Sequence, residues 1–104
     1  MGQTAIAMED LRADPRVEVH QRARATRADG RLLTVLVVNI SAGGLMARSE
    51  APFASGDRLT LQLPAVGPVG ATVRWALGGR IGCQFDGVIP AVRYRALLDA
   101  VGRF

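Results

Sequence analysis

The run Leu32-Leu33-Thr34-Val35-Leu36-Val37-Val38 is the most apolar stretch of the chain, and it constrains the fold more than any other segment. Its content of valine and leucine suits a buried strand. On the period of a strand, Leu36, Val38 and Ile40 share one face, and Val35, Val37 and Asn39 share the other. Both faces are apolar over the middle, so protein must cover this strand on two sides. Directly after it come Asn39-Ile40-Ser41-Ala42-Gly43-Gly44. Asn and Ser bond locally to backbone and Gly tolerates positive φ, so the segment ends the strand in a turn.

The flanking sequence supplies the cover. Val17, Val19, Ala23 and Ala25 alternate with Glu18, His20, Arg22, Arg24 and Thr26, which reads as a half-exposed strand with a basic outer face. Arg22 and Arg24 are expected there as solvated strand charges. Asp29-Gly30 is a hairpin signal between this strand and the apolar run. Leu45-Met46-Ala47 follows the turn as a short strand, and Ala51 to Asp57 reads as a loop. Leu59, Leu61 and Leu63 alternate with Arg58, Thr60 and Gln62. In the next strand Val69, Ala71, Val73, Trp75 and Leu77 share a face, and Gly78-Gly79 makes a second tight hairpin. Ile81, Cys83 and Phe85 alternate in the last strand. After Pro90 the period changes, and Val92, Leu97, Leu98 and Val101 suit one face of a short helix. The expected fold class is all-β: a six-stranded antiparallel barrel whose short C-terminal helix covers one opening or outer face.

At 104 residues the chain holds one core. Residues 1–10 are expected as a flexible lead and residues 11–104 as a single barrel domain. The longest apolar run is far shorter than a membrane span. Met1 to Asp10 lacks a basic leader pattern, and Ile6 stands where myristoylation wants Ser or Thr, so a cytoplasmic protein is expected. The single cysteine, Cys83, excludes an internal disulfide, and the single histidine, His20, leaves no metal pair and no Ser-His-acid set. No catalytic residues and no metal site are therefore expected, and the chain does not read as an enzyme. The formal net charge is +4, and all thirteen basic residues are arginine. The planar guanidinium fork suits bidentate recognition of phosphate and guanine.

Two of those arginines stand in the frame Arg12-x-x-x-Arg16, where Pro15 biases Asp14 towards extended geometry and places the pair in an entry segment rather than a helix. Arg-x-x-x-Arg followed by a strand pair and then Asn39-x-Ser41-x-x-Gly44 resembles the PilZ domain, a bacterial receptor module for cyclic di-GMP. The resemblance runs from about Arg12 to Val101 and includes the Trp75 stretch, the Gly82-to-Phe85 strand and the terminal helix. It implies a barrel fold and cyclic di-GMP as ligand, with no cofactor. By the same resemblance Arg12 and Arg16 clamp the ligand, Asn39 and Ser41 bond its guanine, and Gly44 permits the turn and close approach. Asn39 stands where Asp is commoner in the family, and Leu11 stands where many relatives carry a third arginine.

The resulting expectation is a non-enzymatic cyclic di-GMP receptor that signals to a protein effector by reordering its N-terminal arm, Leu11 to Arg16. The alternative is a PilZ-like protein-interaction module without ligand binding. A barrel that binds RNA or DNA is disfavoured, because the strand faces lack interleaved aromatics for base stacking.

Overall fold

The structure, a computed structural model, describes residues 15–101. Arg12 and the expected lead over residues 1–10 lie outside the described residues. Strands β1 (Val17–Arg27), β2 (Leu32–Ile40), β3 (Gly44–Arg48), β4 (Arg58–Leu63), β5 (Gly67–Leu77) and β6 (Arg80–Phe85) are followed by one helix, α1 (Ala91–Ala100). The strands close into a barrel in the order β1-β2-β3-β6-β5-β4, with every neighbouring pair antiparallel. Closure leaves no free sheet edge, and a barrel this narrow is filled by its own side chains.

Local chemistry explains the hairpins. Gly30 sits at φ 89°, Arg27 donates its amide to the Arg31 carbonyl at 2.8 Å, and the Asp29 carboxylate accepts the Arg31 amide at 3.0 Å. At the second hairpin Gly78 and Gly79 take φ 61° and 79°, which only glycine adopts without strain. The core is the inward set of each strand: Val19, Ala23 and Ala25, then Val35 and Val37, then Leu59, Leu61 and Leu63, among others. Cys83 is part of it, and burial pushes its thiol up to about 12, so it is an inert apolar side chain.

Two bulges overturn the simple alternation. Val37 pairs with Ala47 and Asn39 with Met46, so Val38 is an extra residue against β3. Ile40 therefore joins Val35 and Val37 in the core, while Asn39 is only half-buried. Leu36 and Val38 are half-buried too, so the outer cover expected for them is partial. In β5, Val73 pairs with Cys83 and Trp75 with Gly82, which makes Arg74 the extra residue. Trp75 and Leu77 consequently face outward, 42% and 79% exposed, instead of sharing the inner face of Ala71 and Val73. The Trp75 indole occupies the space a Gly82 side chain would need, an aromatic laid over a strand glycine.

The helix corrects one more assignment. Its buried stripe is Tyr94, Leu97, Leu98 and Val101, whereas Val92 is 84% exposed. The spacing i, i+3, i+4, i+7 puts those four on one face, and Val92 falls off it. Pro90 occupies the N-cap position. Leu97 is fully buried in the core cluster, and the Tyr94 hydroxyl donates to the Ile40 carbonyl at 3.2 Å. The helix thus closes the barrel end at which β2 stops.

Candidate ligand-binding site

The segment from Asn39 to Gly44 is held from several directions. Ser41 donates its amide to the Gly44 carbonyl at 2.8 Å, which closes the turn on itself. The amide of Phe85 donates to the Gly43 carbonyl, and that of Ile89 to the Ala42 carbonyl, each at 2.9 Å. With Tyr94 on Ile40, three successive elements after β5 grip this one turn. An unpaired buried carbonyl is costly, so these partners both satisfy the turn and fix it.

Ser41 belongs to the interior of this turn. It is fully buried, accepts from the Gly43 amide at 3.3 Å and lies 3.4 Å from the Gly44 carbonyl oxygen. Its hydroxyl builds the turn in this structure and presents no face to solvent. Gly44 has a different reason from the one its place in a turn suggests. Its φ is not positive. A side chain there would run into the Cys83 carbonyl of β6, with the Cys83 carbonyl carbon at 3.3 Å and the Gln84 Cα at 3.4 Å. Close strand approach demands this glycine.

The outward residue of the turn is Asn39, and the bulge at Val38 is what turns it out. There it meets the entry segment: Arg16 donates through Nη1 to Asn39 Oδ1 at 3.0 Å. The Asn39 amide nitrogen in turn lies 3.8 Å from Met46 Sδ on β3. Arg16 is exposed, and its guanidinium carries further N–H donors besides the one that bonds Asn39. An exposed guanidinium next to an outward amide can bind an anion and a hydrogen-bonding base edge together. Of the residues expected at the site, the structure brings Arg16 and Asn39 into contact and sets Ser41 and Gly44 behind them.

Neighbours that the sequence pattern did not single out complete the surface. Glu18 pairs with Asn39 across β1 and β2, and Met46 and Gly82 continue the same row to Trp75. The glycine directly opposite the tryptophan was the available signal for that row. Beyond the turn, Arg58 forks onto Asp86 at 2.7 and 2.8 Å and also bonds the Thr72 hydroxyl at 3.0 Å. The guanidinium bonds hold the Asp86 carboxyl below its ordinary range. Among the described residues no three His, Cys, Asp or Glu side chains cluster as a metal site, and no helix is long and apolar enough to cross a membrane.

A small closed barrel, plugged by a helix and presenting an arginine–asparagine contact at its β2–β3 turn, defines a compact binding module. The PilZ domain family matches residues 10–101, and the chain belongs to that family. PilZ domains are non-enzymatic modules, typically receptors for cyclic di-GMP. The fold agrees with the crystal structure of the PilZ domain of CeSA from a cellulose-synthesizing bacterium, at a TM-score of 0.60 and 16% identity over 84% of this chain and 94% of that one. It also agrees with the Bacillus subtilis inhibitor of motility (MotI/DgrA), at a TM-score of 0.62 and 19% identity over 84% of this chain. This match spans 48% of that longer protein. No curated protein matches the sequence.

Proposed function

We propose that this chain is a cyclic di-GMP receptor whose ligand is held between the N-terminal entry segment and the β2–β3 turn. The observation that carries the reading is the contact of Arg16 with Asn39, which joins the two halves of the family's motif on one exposed surface. Arg16 and Arg12 supply guanidinium forks for phosphate and guanine, and Asn39 offers its amide to the guanine edge. Ser41 and Gly44 act through the turn, by fixing where Asn39 points. The ligand bridges the segment Leu11 to Arg16 and the gripped turn, and ordering that segment offsets part of the contact energy, at roughly 1–2 kcal/mol per residue fixed. The repositioned segment then presents a new surface to a protein effector. Such a messenger places the site in the cytoplasm.

One observation favours the second reading, a PilZ-like interaction module without ligand. The Arg16 guanidinium already bonds the Asn39 side-chain oxygen, so a ligand must displace or share that bond. A calorimetric titration with cyclic di-GMP separates the two. Saturable binding that also slows amide exchange from Leu11 to Arg16 supports the receptor. Absence of heat at millimolar ligand selects the interaction module, and binding without any change in exchange removes the segment as the switch.

A further inference from the structure

The outer face of β1, β2 and β3 carries a second surface, one step along the strands from Asn39. Arg22 on β1 pairs with Leu36 on β2, Leu36 with Arg48 on β3, and Arg48 with Arg80 on β6. The three arginines are exposed, and Leu36 is half-buried between the first two. None of the three has an ion pair with a carboxylate among the described residues. Arg48 and Arg80 stand directly opposite each other, an arrangement in which like charges repel. Three other arginines do pair with carboxylates: Arg27 with Asp57, Arg31 with Asp29 and Arg58 with Asp86. A groove of about 680 Å³ runs along this row, from Arg22 past Leu33, Leu36 and Arg48 to the β5–β6 hairpin.

We propose that this groove is a docking site for an acidic amphipathic helix of a partner protein, with carboxylates on Arg22 and Arg48 and an apolar side chain on Leu36. The spacing selects the helix. Neighbouring strands lie about 4.8 Å apart, so Arg22 and Arg48, two strands apart, are separated by roughly 10 Å with Leu36 midway. A helix rising 1.5 Å per residue presents positions i and i+7 about 10 Å apart on one face, with i+3 and i+4 between them. An extended chain places same-face residues about 7 or about 14 Å apart and does not match the Arg22–Arg48 span.

The charge sets the sign of the partner, and Arg80 beyond Arg48 adds to the field at that end. Leu36, between Arg22 and Arg48, is aliphatic, which suits an apolar side chain and gives nucleic acid bases no stacking platform. A concave groove also suits a helix better than a lipid surface. Glu50 on the groove wall can accept a basic side chain from a helix. The surface uses none of the residues assigned to the ligand, so it stands whether or not cyclic di-GMP binds.

The test uses the full chain and a synthetic helical peptide with Glu at i and i+7 and Leu at i+3 and i+4, read by fluorescence anisotropy. Its control is an isomer of the same composition with the two glutamates on opposite faces. The face-matched peptide should bind at least tenfold more tightly than the isomer. Arg48→Gln and Arg22→Gln should each weaken it at least fivefold and leave a parallel cyclic di-GMP titration unchanged. Arg48→Gln also relieves the repulsion with Arg80, so its melting temperature should hold or rise while peptide binding falls. Arg22→Gln carries the same reading should Arg48→Gln fail to fold. Equal binding of the isomer, or full peptide affinity in a folded variant, overturns the proposal. Tighter binding of an oligothymidylate or of phosphatidylserine vesicles than of the peptide overturns it as well.

Discussion

The turn between β2 and β3 and the hairpin between β5 and β6 sit at opposite ends of the barrel, and each combines a strand bulge with a pair of glycines. Their physics differs. Gly78 and Gly79 are needed for their backbone angles, and the hairpin is tied outside its own strands by the Ser49 amide, which donates to the Gly79 carbonyl at 2.8 Å. Gly43 and Gly44 adopt no left-handed angle, and their turn is gripped by β6, the following loop and α1. The bulges differ in the same way. The one at Val38 turns out a single polar residue that finds partners, whereas the one at Arg74 turns out Trp75 and Leu77. A turn built by tertiary contacts can aim one side chain, and a turn built by local angles only reverses the chain.

That contrast can be broken by substitution. Gly44→Ala should cost the most, at least about 2 kcal/mol, because the new methyl meets β6 backbone that cannot give way. Chemical denaturation checks it, and a loss below about 0.5 kcal/mol would mean that β6 withdraws freely. Next comes the outward side of the same turn. Arg16→Ala and Arg12→Ala should each weaken cyclic di-GMP binding at least tenfold, about 1.4 kcal/mol. Arg16→Ala should leave stability within about 0.5 kcal/mol, as for a surface residue. Wild-type affinity in both variants rejects the site.

At the far hairpin, Gly79→Ala should cost about 1 kcal/mol, the strain of a left-handed angle at a residue with a side chain. It should not change ligand affinity, and a parallel loss of binding would show that the two ends are coupled.

The smallest effect concerns pH and belongs to the gripped end. Asp86 titrates below its ordinary value because Arg58 bonds its charged form. A lowered folded value means that the pair's contribution is fully present above the ordinary aspartate value of 3.8 and is lost as pH falls through the folded one. The melting-temperature gap between wild type and Asp86→Asn should therefore close only on acidification below that point. A gap that persists in acid shows that the carboxylate charge is not what stabilises this end.

Much of the architecture could be read in advance because it depends on neighbours in the chain. Asp29-Gly30 and Gly78-Gly79 announce their hairpins through backbone angles, and Leu59, Leu61 and Leu63 announce a half-buried strand through their period. The change of period after Pro90 marks the helix. Arg12, Arg16, Asn39, Ser41 and Gly44 were visible as a family pattern of residue types in order. The pattern could not tell which of them face outward.

That distinction rests on ladders between strands distant in sequence. Strict alternation sends Asn39 inward beside Val35 and Val37, and it sends Trp75 inward beside Val73. One extra residue, admitted by the register with β3 in the first case and with β6 in the second, reverses both. The same holds for Ser41, buried because β6 and α1 close over its turn, and for Gly44, required because Cys83 passes so near. Composition and period by themselves determined that this chain forms short strands, tight hairpins and a final helix, since each arises from interactions a few residues long. Which side chains reach solvent, and hence which can meet a ligand, was decided only when the barrel closed, because a bulge is a property of two strands and not of one.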